Sequence, residues 1–227
     1  VCQAKRVQAC RCVCTGGSAA AALLERGLFG CGTTARGGKI GQPQRDGFAP
    51  AAPVEGDRPV VVYAPTWEGS QRSQSYSSLL THGQVLVDAL VEDGRFDIVY
   101  RPHPLTGSED PRLAEVDATI RHNLPERGHR VDVSPTLADA FDAASVLITD
   151  VSAAASFWLV TGRPIVVTTD GVAESMLGGN TTILTPGDAP GTAEIVATLL
   201  ADPPHLSAVI AHHLGDPTPG AATPPFV

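Results

Sequence analysis

From Arg58 onward, short uncharged runs rich in β-branched residues alternate with longer stretches whose apolar positions recur at helical spacing. Val60 to Ala64 (VVVYA) reads as a strand buried on both faces; it breaks at Pro65 and opens a polar loop, Thr66 to Ser78. Gln84 to Asp93 carries Val85, Leu86, Ala89 and Leu90 on one helical face and stops at Gly94. Asp97 to Arg101 is a second strand, closed by Pro102-His103-Pro104, and Pro111 to Leu124 is a charged amphipathic helix that opens on proline. His129 to Val133 predicts a third strand, and Thr136 to Ala144 a short helix after Ser134-Pro135. Val146 to Thr149 is a strand, followed by the capping types Asp150 and Ser152 and a helix over Ala153 to Val160. Strands at Pro164 to Thr168 and Thr181 to Leu184, then helices at Thr192 to Ala201 and Leu206 to Leu214, complete the series.

Strands alternating with helices of about ten residues imply an α/β fold with a doubly wound parallel sheet. Residues 58–203 are expected to form this Rossmann-like domain. In such sheets ligands bind beyond the carboxyl ends of the strands, so the loops after Ala64, Arg101, Val133, Thr149 and Thr168 are where chemistry is expected. Residues 1–57 do not read as a folded unit, and Gly37 to Pro53 reads as a linker. After the short helix that follows residue 204, a Pro-rich tail is expected to be disordered.

The formal charge of −8 argues against general nucleic-acid binding, which depends on basic surface to displace counterions. An anionic ligand would have to be held by a few local Arg, His and backbone N–H groups. No apolar run approaches the roughly 20 residues of a membrane-spanning helix, and Ala19 to Leu24 is too short for a secretory signal, so a cytoplasmic location is expected. Cys2, Cys10, Cys12, Cys14 and Cys31 lack the paired C-x-x-C spacing of structural zinc sites, and no metal or cofactor is expected.

Arg101 and His103 flank Pro102 directly after the second strand. Proline on both sides of the histidine denies it helical backbone and can fix the imidazole at one angle, facing a phosphate oxygen, with the guanidinium two residues back as a bidentate partner. The competing reading is a surface turn whose histidine caps a neighbour. Trp67 beside a strand end reads first as a core anchor and second as a stacking surface for a base. Ser152 either caps its own helix or belongs to a strand–turn–helix corner where an anion sits at the helix start. Asp170 could accept a ribose or polyol hydroxyl or simply make a turn. Phosphate-loop, G-x-G-x-x-G, G-x-S-x-G and H-E-x-x-H signatures are absent.

In this order, YAPTW (63–67), RPHP (101–104), DVSPT (132–136), LITDVS (147–152) and GRPIVV (162–167) resemble the CDP-glycerol glycerophosphotransferase family of teichoic-acid primases and polymerases. The similarity spans Ile40 to Asp202, and Gly41-Gln42-Pro43 resembles the G-x-P before the family's first strand. The resemblance implies the carboxyl-terminal, donor-binding half of a two-domain GT-B architecture. It implies transfer of glycerol phosphate or a similar polyol phosphate from a CDP-linked donor to a lipid-linked wall-polymer acceptor, with peripheral contact at the inner membrane face. His103 matches the histidine that faces the donor phosphates, and Arg101 lies beside it. Thr66 and Trp67 match the loop lining the donor site, Asp150 and Ser152 the D-x-S at the diphosphate-binding helix start, and Thr136 closes the third matching turn. The chain departs from the pattern at Ala153, where many relatives have a second serine, at Phe157, where they have an acid, and at Glu68, where a basic residue is common. The family's other domain, which supplies a histidine base, is not recognisable in residues 1–57. Two alternatives stand beside this reading: a nucleotide-sugar glycosyltransferase or epimerase of GT-B type, and a non-catalytic nucleotide-binding fragment.

Overall fold

A computed structural model describes residues 13–15, 18, 37–39, 58–69, 77–170 and 181–215. The chain divides into two compact units, one of Pro50–His205 and one combining Val1–Ala49 with Leu206–Val227. In the second, Val13–Thr15 and Gly37–Lys39 pair in parallel, and Ser207–Leu214 is helical. Cys2, Cys10, Cys12, Cys31, the Gly41-Gln42-Pro43 motif and the Pro-rich tail lie outside the described residues.

The larger unit is built on six parallel strands: β1 (Val60–Ala64), β2 (Asp97–Tyr100), β3 (Arg130–Val131), β4 (Val146–Thr149), β5 (Ile165–Thr168) and β6 (Thr182–Leu184). Their order across the sheet is β3-β2-β1-β4-β5-β6. This is the Rossmann order, in which the winding reverses between the first and fourth strands and opens a crevice above them. The helices are α1 (Gln84–Asp93), α2 (Pro111–Glu126), α3 (Leu137–Asp142), α4 (Ala153–Trp158) and α5 (Thr192–Ala201).

All four residues of β4 are buried, as are Val61 to Ala64 of β1, which is why these strands lack polar alternation. Val61, Tyr63, Ile98, Tyr100, Val146 and Ile148 share one cluster with Leu86 and Leu90 of α1 and Ile120 and Leu124 of α2. The short helices α3 and α4 meet edge to face through Phe141 and Trp158, 5.1 Å between ring centroids. Arg163, from the GRPIVV run, donates to the carbonyls of Phe141 and Asp142 at the end of α3, and its guanidinium lies over the Trp158 ring. That gives this motif a structural role.

The sheet and its helices follow the hydrophobic pattern, with differences at the ends. The strand β3 has two residues rather than five: the Asp132 N–H still donates to Tyr100 O at 2.8 Å, but its carboxylate bonds Ser134 and Arg101 and the chain leaves the sheet there. The helix α4 stops at Trp158 and gives way to a 3₁₀ turn, Leu159–Thr161, closed by Gly162. A π-turn at Leu79–Gly83, ahead of α1, has no counterpart in the periodicity: the Ser78 carbonyl accepts from the N–H groups of Thr81, His82 and Gly83.

Two glycines separate backbone conformation from steric room. Gly94 ends α1 at φ 76° with nothing within 4 Å of where a Cβ would sit, whereas at Gly107, φ 78°, a Cβ would lie 2.5 Å from Ala114 Cβ. Gly94→Ala is expected to cost about 1 kcal/mol. Gly107→Ala adds a clash with the first turns of α2 and is expected to cost about 3 kcal/mol. Urea denaturation of the two variants checks the ranking.

Candidate functional site

The carboxyl ends of β1 and β4 are held together from below by one acid. Asp150 is fully buried at the end of β4. Its Oδ2 accepts the Thr66 N–H at 2.7 Å, and its Oδ1 accepts the Ser78 N–H at 3.2 Å and the Thr168 hydroxyl. One carboxylate therefore joins the loop after β1, the turn before α1 and the end of β5. Neighbouring bonds reinforce it: the Thr149 hydroxyl donates to Ala64 O at 2.7 Å, and Tyr63 Oη pairs with Ser78 Oγ at 2.8 Å. Burial pushes the Asp150 pKa up and the donors hold it back, leaving it at about 6. Burial, and then the Asp150 charge, push the Tyr63 phenol well above its ordinary value, so it stays a neutral hydroxyl.

Above this support, Trp67 of the β1 loop stacks on His103 of the β2 loop, with ring centroids 5.9 Å apart and planes 16° from parallel. The next residue, Glu68, is 7% exposed, and its carboxylate accepts N–H groups from Gly107 at 3.0 Å, Glu109 at 2.8 Å and Asp110 at 3.1 Å. Burial pushes its pKa upward, but these backbone donors prevail and hold it below the ordinary carboxylate value. His103 Nδ1 accepts the Leu105 N–H at 3.1 Å, which puts the proton of the neutral ring on Nε2. Partial burial lowers the His103 pKa, and the Glu68 charge opposes that shift. At neutral pH the ring is a neutral Nε2–H donor.

The other predicted residues separate into groups. Arg101 bonds to the Asp132 carboxylate and, at 3.1 Å, to Ser134 O, and its side chain is 13% exposed. It ties the β2 and β3 loops rather than standing open at the rim. Burial raises the Asp132 pKa, but the Ser134 hydroxyl and Arg101 outweigh this and set it low. Thr136 is the N-cap of α3: its Oγ1 accepts the Asp139 N–H at 3.2 Å and donates to the Asp139 carboxylate. Ser152 occupies the N-cap position of α4 without a side-chain cap bond; its hydroxyl lies 3.3 Å from Thr149 Oγ1, toward the strand end. Ala153 is exposed as the first residue of α4, and Asp170 is exposed two residues past β5.

His103, Trp67, Thr66 and Ser152 thus follow β2, β1, β1 and β4, three adjacent strands whose ends share one rim. β2 and β4 flank β1, about 10 Å apart at two strand spacings. Residues that periodicity missed are Glu68, Ser78, Thr168 and His82. His82 is buried, its Nε2 donating to Leu184 O at 3.1 Å and its Nδ1 facing Thr81 Oγ1 at 2.8 Å, and burial lowers its pKa. The sole advance signal for these four was the position of three of them next to a strand end or a turn.

A six-stranded parallel sheet of this order is the Rossmann-like type of domain found in GT-B glycosyltransferases. Residues 40–174 match the model of the family described as CDP-Glycerol:Poly(glycerophosphate) glycerophosphotransferase, and the chain belongs to that family. Among solved structures it resembles the wall teichoic acid polymerase TagF, in a variant soaked with CDPG, at TM-score 0.59 and 16% identity over 95% of this chain and 55% of that one. It also resembles a putative UDP-N-acetylglucosamine 2-epimerase from Listeria monocytogenes, at TM-score 0.55 and 15% identity, over 89% of this chain and 55% of that one. At such identities the likeness is one of fold. The chain spans about half the length of these structures. No curated protein matches it.

The raised Asp150 pKa gives a signed expectation. Between the ordinary aspartate value of 3.8 and about 6, the folded chain holds a proton that the unfolded chain has released. This contribution to stability is full below pH 3.8 and is lost as pH rises through about 6, by about 3 kcal/mol in all. Asp150→Asn cannot titrate, so the stability margin of the parent over the variant should shrink as pH is raised from 4 to 7 in urea melts. A margin that widens over that range means the carboxyl is instead held in its charged form.

Proposed function

We propose that this chain binds a CDP-activated polyol phosphate, glycerol phosphate first, at the rim above β1 and β4. In this reading it is the donor-binding half of an enzyme that transfers the polyol phosphate to a hydroxyl of a lipid-linked wall-polymer precursor. The observation that carries the reading is the Trp67–His103 stack between the loops that follow β1 and β2, inside the span matched by the family. An imidazole with its proton on Nε2 is an appropriate donor to a bridging or terminal phosphate oxygen, and Trp67 adds a flat apolar surface for the cytosine or the polyol. Ser152 and the opening of α4 lie at the end of the neighbouring strand.

The transfer balances simply. The acceptor hydroxyl oxygen attacks the phosphorus that carries the polyol, the P–O bond to CMP breaks, and CMP leaves with the electron pair. Charge grows on the departing phosphate, and His103 Nε2–H stabilises it by a hydrogen bond that strengthens as the bond breaks. The resemblance assigns the base that takes the hydroxyl proton to the other domain of the two-domain architecture. Arg101, Thr136 and Asp150 contribute by fixing the loops, and Thr66, Ala153 and Asp170 are proposed to border the donor. Among the described residues no helix is long and apolar enough to cross a membrane, and contact with the membrane face would be peripheral.

Isothermal titration with CDP-glycerol tests the reading. CDP-glycerol should bind, UDP-N-acetylglucosamine should not, and His103→Ala should weaken binding about tenfold or more, the value of one hydrogen bond to a charged group. Burial keeps the free imidazole neutral, and a bound diphosphate favours the imidazolium enough to displace the Leu105 N–H from Nδ1, so affinity should rise as pH falls from 8 to 6 and lose this slope in His103→Gln. No binding of CDP-glycerol or CDP-ribitol at millimolar concentration would sink the proposal.

A further inference from the structure

Glu68 stands where the family resemblance leads one to expect a base, and its geometry gives the acid a purpose of its own. Trp67 and Glu68 are consecutive, yet they engage opposite ends of the loop after β2. Trp67 covers His103 at its start, and the Glu68 carboxylate gathers the N–H groups of Gly107, Glu109 and Asp110 at its finish. The last two donors lie at the entry of α2, a helix of 16 residues, so the carboxylate also meets the positive end of that helix. On the other side Gly107 is seated against Ala114, and a Cβ there would find no room. The loop is therefore clamped between Glu68 and α2, and within it the support is local: Thr106 N–H to His103 O, Ser108 N–H to Leu105 O, and Leu105 N–H to His103 Nδ1. An arginine or lysine at position 68 could accept none of the three N–H bonds.

We propose that Glu68 is a positioning residue for His103: by fixing the far end of the loop it sets the angle at which the imidazole lies on Trp67 and faces a bound diphosphate. That the imidazole faces a diphosphate rests on the donor-binding reading; the hold of Glu68 on the His103 loop does not. In this chain the acid at 68 is a different means of placing the histidine, as well as the loss of a positive charge. It also puts a fixed negative charge near the ring, favouring the imidazolium once a phosphate arrives.

Nuclear magnetic resonance of the whole chain tests this with Glu68→Gln, which keeps the side chain's size and one acceptor oxygen so that the fold persists. Amide exchange at Gly107, Glu109 and Asp110 should accelerate about tenfold or more. The His103 ring should titrate at lower pH than in the parent, and its cross-relaxation with Trp67 should weaken. Glu92→Gln, which removes an exposed charge on α1, should change none of these. If Glu68→Gln leaves the His103 titration and the Trp67–His103 contact as in the parent, the proposal is overturned, even where thermal stability falls. Titration of the same samples with CDP-glycerol separates the two readings. Binding by the parent weakened about tenfold in Glu68→Gln supports both, whereas no binding by the parent with the His103 effects intact counts against the donor reading alone.

Discussion

A carboxylate sealed beneath the sheet's carboxyl rim is the constraint on which the site depends. Asp150 has no access to solvent, and leaving it there without partners would cost several kcal/mol. The fold meets that demand with two backbone N–H groups and a threonine hydroxyl drawn from three separate segments. Satisfying the acid and assembling the rim are consequently one event: the β1 loop, the turn before α1 and the end of β5 cannot satisfy Asp150 without converging above the β1/β4 crevice. Thr149 and Tyr63 extend the same network by one bond each.

Trp67 and His103 stand on the loops that this support fixes or adjoins. Trp67 leaves β1 one residue past the N–H that Asp150 holds, so its ring is placed by the acid below and by Glu68 beside it. His103 sits on that ring with its Nδ1 already engaged, which fixes both its tautomer and its orientation. For a chain of formal charge −8, such local donors are what can hold a diphosphate. The proposed nucleotide donor draws on the family match over residues 40–174 and on the Rossmann order of the sheet.

Much of this was legible in the sequence, and the parts that were not share a cause. Strands β1 and β4 announce themselves because both faces are covered and the runs are uncharged and rich in β-branched residues, with Thr149 the one short polar residue at the end of β4. RPHP and LITDVS were visible because proline and capping types act on their immediate neighbours. What an acid does, by contrast, depends on where its donors come from. Asp150 reaches Thr66 across 84 positions, Glu68 reaches Gly107 across 39, and Arg101 reaches Asp132 across 31. Asp150 and Arg101 therefore looked like ligands for a substrate, whereas their side chains are spent on holding loops. The π-turn before α1 leaves no mark in the hydrophobic pattern: it begins at Ser78, whose N–H is held by Asp150 from 72 positions away, and has no periodicity of its own.

Chemical-shift mapping of the ¹⁵N-labelled chain with CDP-glycerol tests the central claim most directly. Saturable shifts are expected at the rim alone, at Thr66 to Glu68, around His103 and at Val151 to Ala154, with Asp150→Asn dispersing or abolishing them while the β-sheet resonances persist. Shifts centred elsewhere, for instance along the groove between α1 and α5 bordered by Asp88 and Glu194, or a rim response that survives loss of the Asp150 charge unchanged, would contradict it.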